Sequence, residues 1–264
     1  MPFWTWMGLY RGNVSTKWGS RDGDDGQANV LGMPRFEPTQ CDTSCSACAE
    51  VCPTGAIAVT PGKPEPIAID YGKCITCQLC VEACPTKALT SSRDWAFGVR
   101  NRDDLVWNAD ASDTHQSPAV PRHFHRSLHV RHVDAGSCNG CESELQALSN
   151  PFYNLHRLGI FFTPSPRFAD VLLVTGPVTH AMRQPLLAAY EAMPEPRWVM
   201  ATGTCAVSGG IMSGGNFCGH GLEGILPVDL YLPGCPPNPA AIIEAFLVLL
   251  GRKQQSVRGG HHGP

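Results

Sequence analysis

Cysteine spacing constrains this chain more than any other feature of its sequence. The chain has 264 residues and 13 cysteines, and twelve of the cysteines fall into three groups of four. The run from Cys74 to Cys84 has the spacing C-x2-C-x2-C-x3-C and is followed by Pro85. In such a run three thiolates bind three irons of one cubane cluster, and the fourth reaches a neighbouring cluster. The spacing therefore predicts iron–sulfur clusters and electron transfer.

A second run, from Cys41 to Cys52, repeats the first with one extra residue in its first gap. The similarity continues past the thiolates, because residues 45–57 realign on residues 77–89, and two pseudo-symmetric half-domains are expected. Residues 35–92 resemble the bacterial two-cluster ferredoxin, which implies an α+β fold with two 4Fe–4S clusters. The implied ligands are Cys41, Cys45, Cys48 and Cys84 for the first cluster, and Cys74, Cys77, Cys80 and Cys52 for the second.

Disulfides and zinc are the two alternative uses of these cysteines. Residues 1–10 lack the charged segment and the small-residue cleavage site of a secretory signal, so reduced thiols are expected instead of disulfides. Zinc sites usually combine two cysteine pairs that are separated by about a dozen residues or more. Duplicated triple-cysteine runs that close with Cys-Pro favour iron–sulfur clusters over both alternatives.

From residue 128 onward the pattern changes to strands and helices in alternation. The predicted strands are 129–134, 169–174, 197–201 and 228–232, and the predicted helices are 142–148, 181–193 and 239–250. Pro185 favours a later start of the second helix, near Pro185 itself, because proline is unfavourable inside a helix. Alternation of this kind predicts a parallel sheet with helices on both faces.

The third group of cysteines follows the predicted strands. Cys138 and Cys141 follow the first strand, Cys205 follows the third, and Cys235 follows the fourth. All four would lie at the carboxyl edge of the sheet, where open α/β sheets bind their ligands, and a third cluster is expected there. Cys218 lies in a Gly-rich loop and is expected to be a free thiol. The alternative is that Cys218 replaces Cys205 as a ligand.

Motifs at residues 134–142, 169–178, 203–206 and 232–237 carry a second resemblance, which covers residues 129–251. They are similar to the small subunit of the membrane-bound nickel–iron hydrogenases of group 4, including the formate hydrogenlyase type. That family is related to the complex I subunit with the cluster nearest quinone, but two residues separate the first cysteine pair here, whereas complex I has adjacent cysteines. The resemblance implies a flavodoxin-like α/β fold and one 4Fe–4S cluster held by Cys138, Cys141, Cys205 and Cys235.

The two resemblances together imply the role of the chain. It would relay electrons through three 4Fe–4S clusters as a subunit of an oxidoreductase, without a complete active site of its own. The implied partners are a hydrogenase-type large subunit, the membrane subunits of the same complex, and a redox donor such as a formate dehydrogenase module. The chain is expected to be cytoplasmic and peripheral, held on the cytoplasmic face of the inner membrane through these partners.

Two glutamates and several histidines are candidate proton or metal groups. Glu144 matches an acidic position beside the cluster in the related complex I subunit, which implies proton handling. Glu142 is expected to stabilise the positive end of the helix that follows Cys141. The histidines are expected to be polar residues of a connector and an edge strand, with metal binding as the alternative; they are His123, His125, His129 and His132.

The expected organisation has five parts. These are an extended arm at 1–34, the ferredoxin domain at 35–92, a connector at 93–127, the small-subunit-like domain at 128–251 and a tail at 252–264. The Gly-, Asp- and Pro-rich arm is expected to be ordered by a partner, with disorder as the alternative.

Other functions stay open at this point. One is electron transfer in a complex I-like quinone oxidoreductase, or in a hydrogenase-related complex that lacks nickel. A soluble carrier that acts alone and an assembly protein that only stores clusters are two more. The formal net charge of −3 argues against nucleic acid binding. The longest apolar stretch, residues 240–250, is shorter than the roughly 18 residues that a membrane span needs.

Overall fold

The N-terminal half of the chain is built from short strands and short helices. The computed structural model describes residues 3–11, 30–60, 66–107, 127–258 and 261–262. Helix α1 (Phe3–Arg11) precedes a set of seven short elements. In chain order these are β1 (Arg35–Phe36), α2 (Ala47–Glu50), β2 (Ile57–Val59), β3 (Ile67–Asp70), α3 (Leu79–Ala83), β4 (Leu89–Thr90) and β5 (Val106–Trp107).

The pseudo-symmetry of the cysteine runs reappears in these elements. Helix α2 carries Cys48 and helix α3 carries Cys80, and both cysteines are buried. Strand β1 pairs antiparallel with β4, while β2, β3 and β5 form a second antiparallel sheet. The sheets pack together through Phe36 and Trp107, whose ring centroids are 4.8 Å apart. Short antiparallel sheets flanked by single-turn helices fit the predicted α+β ferredoxin fold.

The C-terminal half contains a parallel five-stranded sheet with the order β10-β9-β8-β6-β7. Its strands are β6 (Leu128–Asp134), β7 (Ile160–Phe162), β8 (Val171–Thr175), β9 (Trp198–Thr202) and β10 (Leu230–Leu232). Counted from the first strand of this half, the order is 2-1-3-4-5, which is the flavodoxin-like arrangement. The predicted fold class is therefore confirmed. The helices of the C-terminal half are α4 (Gly140–Ala147), α5 (His180–Glu191), α6 (Thr204–Ser208) and α7 (Pro239–Leu249).

Helices cover both faces of this sheet. Helix α7 is buried along its whole length, and it begins with a cap in which Asn238 Oδ1 accepts a 2.7 Å hydrogen bond from the Ala241 amide. Its apolar side chains pack with Leu145 of α4 and with Val171 on one face of the sheet. Helices α5 and α6 pack on the other face through residues such as Leu186. No helix among the described residues has the length and apolar character of a membrane span.

The two halves of the chain share one hydrophobic core. Ile69 of β3 and Val174 of β8 belong to the same cluster of buried side chains. Phe97 and Val99, which lie between the halves in sequence, are fully buried in that cluster. Val99 also pairs with Tyr231 of β10 through two backbone hydrogen bonds of 2.9 and 2.8 Å. The ferredoxin half is therefore fixed against the sheet by packing and by backbone pairing.

Several parts of the chain differ from the sequence prediction. Helix α1 occupies residues 3–11 of the predicted extended arm, because the Gly- and Asp-rich composition begins only after Arg11. Residues 93–107 of the predicted connector supply β5 and the buried Phe97, whereas 108–126 lie outside the described residues. The predicted tail contains two short strands, β11 (Val257–Arg258) and β12 (His261–His262), which pair antiparallel.

Helix α5 begins at His180, so the later start predicted from Pro185 is wrong. Pro185 lies inside the helix. The side chain and the preceding turn face solvent, so water can hydrate the carbonyl that loses its helical partner. Strand β7 is absent from the sequence prediction, because its three residues are uniformly apolar and show no alternation.

Candidate iron–sulfur centres

The first group of four cysteines surrounds an open pocket in the ferredoxin half. The pocket has about 290 Å³ of empty volume and is lined by Cys41, Cys45, Cys48 and Cys84. The first three come from the loop before α2 and from α2 itself, and Cys84 is the residue that ends α3. The structure thus places Cys84, the last cysteine of the 74–84 run, beside the first three cysteines of the 41–52 run, which is the exchange of ligands that the spacing predicts.

Burial and neighbouring negative charge raise the pKa of thiols in this group, and hydrogen bonds to sulfur lower it. Burial raises the pKa of the Cys48 thiol, and the neighbouring Cys41 and Cys45 raise it further, although backbone amides partly oppose the shift. Burial also raises the pKa of Cys41, followed by repulsion from Cys84, Cys45 and Asp42. Burial alone would raise the pKa of Cys84 as well, but hydrogen bonds from nearby backbone amides and a threonine hydroxyl lower it overall. Crowded thiolates of this kind suit a cationic iron core that neutralises them.

The second group lines a pocket with about 390 Å³ of empty volume, formed by Cys52, Cys74, Cys77 and Cys80 together with apolar residues. The Ala56 amide donates to Cys52 Sγ at 3.2 Å, and the Thr76 amide donates to Cys74 Sγ at 3.4 Å. Hydrogen bonds to sulfur are one of the factors that set cluster potentials. Burial raises the pKa of Cys74 to about 12 and that of Cys80 to about 11, whereas Cys77 is exposed.

The third group lies at the carboxyl edge of the parallel sheet. Cys138 and Cys141 are in the turn from β6 into α4, Cys205 is in α6 directly after β9, and Cys235 follows β10. Burial raises the pKa of Cys205 to about 11, with further contributions from Cys235, Cys138 and Cys218. Burial also raises the pKa of Cys141, followed by Glu142 and the other three cysteines of the group. Residues from three strand ends therefore converge on one place.

Gly203 makes this convergence possible. It has φ +87°, and a Cβ built on it would lie 2.6 Å from Cys141 Sγ and 3.6 Å from the Gly234 carbonyl oxygen. A side chain would therefore be strained by the backbone and would also collide with a sulfur of the third group. The backbone between β9 and Cys205 approaches Cys141 closely because this position is glycine.

Cys218 is buried beside the third group. Its Sγ donates to the Met212 carbonyl at 3.0 Å, and its backbone pairs with Thr179. Cys218 also lies close enough to Cys205 to influence the pKa of that thiol. Its assignment as a free thiol stays a prediction. Ile211 and Phe217 of the same loop expose most of their apolar surface.

The two glutamates differ in their surroundings. Glu142 accepts a 2.6 Å hydrogen bond from Ser137 and a short one from Thr175, and it lies 3.5 Å from His132 Nε2. His132 and Thr175 are themselves 2.9 Å apart. Glu144 is partly buried, and burial raises its pKa. The sequence singles out Glu144, whereas the connected set around Glu142 becomes visible only once β6 and β8 are known to be neighbours.

The four histidines that are candidate metal ligands lie in two parts of the chain. His129 and His132 lie on β6, while His123 and His125 fall outside the described residues. The prediction of an edge strand is wrong, because β6 pairs with β7 on one side and with β8 on the other. Burial lowers the pKa of His132, although Glu142 and Asp134 oppose that shift. Within the described ranges, no three His, Cys, Asp or Glu side chains are arranged to hold a single metal ion. The first two cysteine groups instead each line a pocket with four cysteines.

The second and third groups face each other across the junction of the two halves. The Thr204 hydroxyl, next to Cys205 in sequence, donates a 2.8 Å hydrogen bond to the Cys74 carbonyl oxygen. The first and second groups are also neighbours, because Cys48 contributes to the raised pKa of Cys80. The three groups therefore stand in spatial order as first, second and third.

Comparison with known proteins agrees with this arrangement. Residues 138–249 match the family described as NADH ubiquinone oxidoreductase, 20 Kd subunit. Residues 40–88 match the 4Fe-4S dicluster domain, which makes this half an iron–sulfur domain.

Two curated relatives and one solved structure illustrate the similarity. Formate hydrogenlyase subunit 7 of Escherichia coli K12 is 43% identical over 56% of this chain and 58% of its own length. A probable membrane-bound hydrogenase subunit of Pyrococcus furiosus is 41% identical over 51% of this chain and 80% of its own length. A solved structure of the membrane-bound sulfane sulfur reductase, an archaeal respiratory membrane complex, is 30% identical over 52% of this chain and 77% of its own, with a TM-score of 0.43.

The two family matches together lie in both halves of the chain and include the segments that bear the three cysteine groups. The chain spans only 58% of the length of the E. coli relative but 80% of that from P. furiosus. The chain belongs to the family of the NADH ubiquinone oxidoreductase 20 kDa subunit, joined in one polypeptide to a 4Fe-4S dicluster domain.

Proposed function

We propose that this chain is the electron-transfer subunit of a membrane-associated nickel–iron hydrogenase complex of the formate hydrogenlyase type. It would hold three 4Fe–4S clusters, one in each cysteine group, and the boundaries 35–92 and 128–251 would delimit its two cluster-bearing domains. The observation that carries the proposal is the spatial order of the three groups, with the second joined to the third through Thr204 and Cys74. Such an order suits a relay within one chain.

The residues of the chain have simple tasks in this relay. A bound 4Fe–4S cluster accepts and releases one electron at a potential that depends on burial, charge and hydrogen bonds to sulfur. The cysteines hold the iron, and amides such as those of Ala56 and Thr76 donate to sulfur. The apolar side chains around the second group, Ile57 and Ile69 among them, exclude water. The fold keeps all three sites fixed, so that little atomic motion accompanies transfer.

The partners are assigned to the two ends of the relay. Cys138 and Cys235 are exposed at the sheet edge, where the large subunit that carries the nickel would cover them. The first group lies at the opposite end, where a redox donor such as a formate dehydrogenase module would exchange electrons. Membrane subunits would hold the complex on the cytoplasmic face of the inner membrane. Glu144 would handle protons beside the third site, and its partial burial and raised pKa suit that role.

A second candidate is electron transfer in a complex I-like quinone oxidoreductase, or in a related complex without nickel. The family description favours it, because the matched family is the 20 kDa subunit of NADH ubiquinone oxidoreductase. The separation of Cys138 from Cys141 by two residues favours the hydrogenase instead. The metal content of the large subunit distinguishes the two candidates.

The cofactor content tests the proposal directly. Protein purified without oxygen should contain about 12 iron and about 12 labile sulfide per chain, as three cubane clusters require. A content near eight of each would remove the third cluster, and zinc without sulfide would contradict the iron–sulfur assignment altogether. The complex isolated through a tag on this chain should contain nickel. Iron–sulfur clusters without nickel in that complex would support the quinone oxidoreductase.

A further inference from the structure

Thr204 lies where the second and third cysteine groups meet. Its side chain is 1% exposed, and its hydroxyl donates a 2.8 Å hydrogen bond to the Cys74 carbonyl oxygen. The hydroxyl oxygen of Thr204 in turn accepts a 3.1 Å hydrogen bond from the Gly234 amide. Thr204 directly precedes Cys205, and Gly234 directly precedes Cys235. One hydroxyl therefore connects the backbone of three cysteine-bearing segments.

The local structure fixes this hydroxyl in place. The Thr204 amide donates a 2.9 Å hydrogen bond to the Gly234 carbonyl, so backbone and side chain both engage Gly234. Helix α6 begins at Thr204, and the two hydrogen bonds of the Thr204 hydroxyl go to Cys74 and Gly234, outside this helix. Burying a hydroxyl is costly unless its hydrogen bonds are made, and here it acts both as donor and as acceptor. The Thr204 hydroxyl is therefore held in one position at the junction of the two halves.

We propose that Thr204 is a positioning residue that couples electron transfer between the second and third sites. This inference rests on the proposed function, because it requires clusters at both sites. From Cys74 the path runs through its carbonyl group, one hydrogen bond and the Thr204 side chain, and it reaches Cys205 through covalent bonds. Electron tunnelling weakens steeply across gaps without bonds, so a bonded path favours transfer. A single electron changes site, and no bond forms or breaks.

Three substitutions distinguish the effect of the Thr204 hydroxyl from the effect of side-chain volume. Thr204→Val keeps the shape and removes both hydrogen bonds, whereas Thr204→Ser keeps the hydroxyl and removes the methyl group. Thr202→Val is the matched control, because the Thr202 hydroxyl is also buried but has no hydrogen-bond partner. Each variant is examined in the assembled complex, after its iron, sulfide and electron paramagnetic resonance signals have been measured.

The informative measurement is the rate at which electrons reach the third site after rapid photoreduction of the ferredoxin half. We expect Thr204→Val to slow this step, while Thr204→Ser and Thr202→Val keep the wild-type rate. Reduction of the ferredoxin half itself should be unchanged in all variants. Hydrogen exchange supplies a readout independent of the clusters: the Gly234 amide should exchange about tenfold faster in Thr204→Val, the equivalent of one net hydrogen bond.

The outcomes distinguish failure of this inference from failure of the proposed function. Absence of three clusters in the wild-type protein would contradict the proposed function. Three intact clusters with equal transfer rates in wild type and Thr204→Val would overturn only the role of Thr204. If Thr204→Val loses the third cluster, Thr204→Ala is compared with Thr204→Ser instead. Slow electron transfer in the alanine variant together with a normal rate in the serine variant supports the role of Thr204, and equal rates in the two variants overturn it.

Discussion

The ferredoxin half and the sheet half hold their cysteines in different ways. In the ferredoxin half each group takes three cysteines from one short run and a single cysteine from the other run. In the sheet half the four positions extend from Cys138 to Cys235, and only the parallel sheet brings them together. The first arrangement depends on local turns, whereas the second depends on the whole topology. Damage to one group should therefore have different consequences in the two halves.

The largest expected effect comes from removal of a ligand in the sheet half. Cys235→Ser should abolish the third cluster signal in electron paramagnetic resonance, because its loop follows β10 and supplies the only cysteine from that strand end. The two ferredoxin signals should remain, since their cysteines come from other elements. Cys218→Ser is the control and should leave all three signals. Loss of every signal in Cys235→Ser would show that the halves do not hold their clusters independently.

That independence is limited by the shared core. Phe97 and Val99 pack with residues of both halves, and Val99 pairs with Tyr231. The cysteine groups are thus locally separate while the hydrophobic core is continuous. A substitution that opens this core should affect both halves, unlike a substitution at a single cysteine.

A smaller effect is expected where a side chain enters the third group. Gly203→Ala places a Cβ 2.6 Å from Cys141 Sγ and requires an alanine at φ +87°. We expect partial or complete loss of the third cluster, measured as iron content and as the intensity of its resonance. Gly224→Ala is the matched control, because it also has positive φ, at +68°, but has nothing within 4 Å of the added Cβ.

The control isolates the backbone contribution from the collision. A non-glycine residue in the left-handed region costs on the order of 1–2 kcal/mol, so Gly224→Ala should lower stability slightly and keep all clusters. Equal cluster loss in both variants would mean that backbone strain, and not the approach of Gly203 to Cys141, explains the result. Normal iron content in Gly203→Ala would show that the third group tolerates displacement of Cys141.

The same contrast explains how much the sequence could predict. The spacing from Cys41 to Cys84 predicts both ferredoxin groups, since ligands and turns lie in the same short runs. The positions of Cys138, Cys205 and Cys235 after strands predict their convergence, because strand ends of a parallel sheet share one edge. The contact between Thr204 and Cys74 joins residues 130 positions apart and has no local signal. Helix α1 and the continuation of α5 through Pro185 depend instead on local composition and on solvent exposure. Hydrophobic periodicity alone does not reveal either property.

The smallest expected effect concerns protonation beside the third group. Burial lowers the pKa of His132 below its usual value near 6.5. At pH values between the lowered pKa and the usual pKa, the unfolded chain therefore binds more protons than the folded chain. Stability is therefore fully present above the usual pKa and is lost as pH falls from that value through the lowered pKa of the folded chain. The attraction of Glu142 opposes this loss but is the weaker of the two influences.

Replacement of His132 removes this proton-linked term. In His132→Gln the urea midpoint of unfolding should fall less steeply with decreasing pH than in the wild-type protein, even if it starts lower because contacts with Thr175 and Glu142 are altered. His129→Gln on the same strand is the control for the loss of an imidazole, since the His129 side chain is 46% exposed. Equal slopes in all three proteins would exclude His132 as the titrating group. A flatter slope in His132→Gln alone would show that the sheet half carries an acid-sensitive site next to the third group.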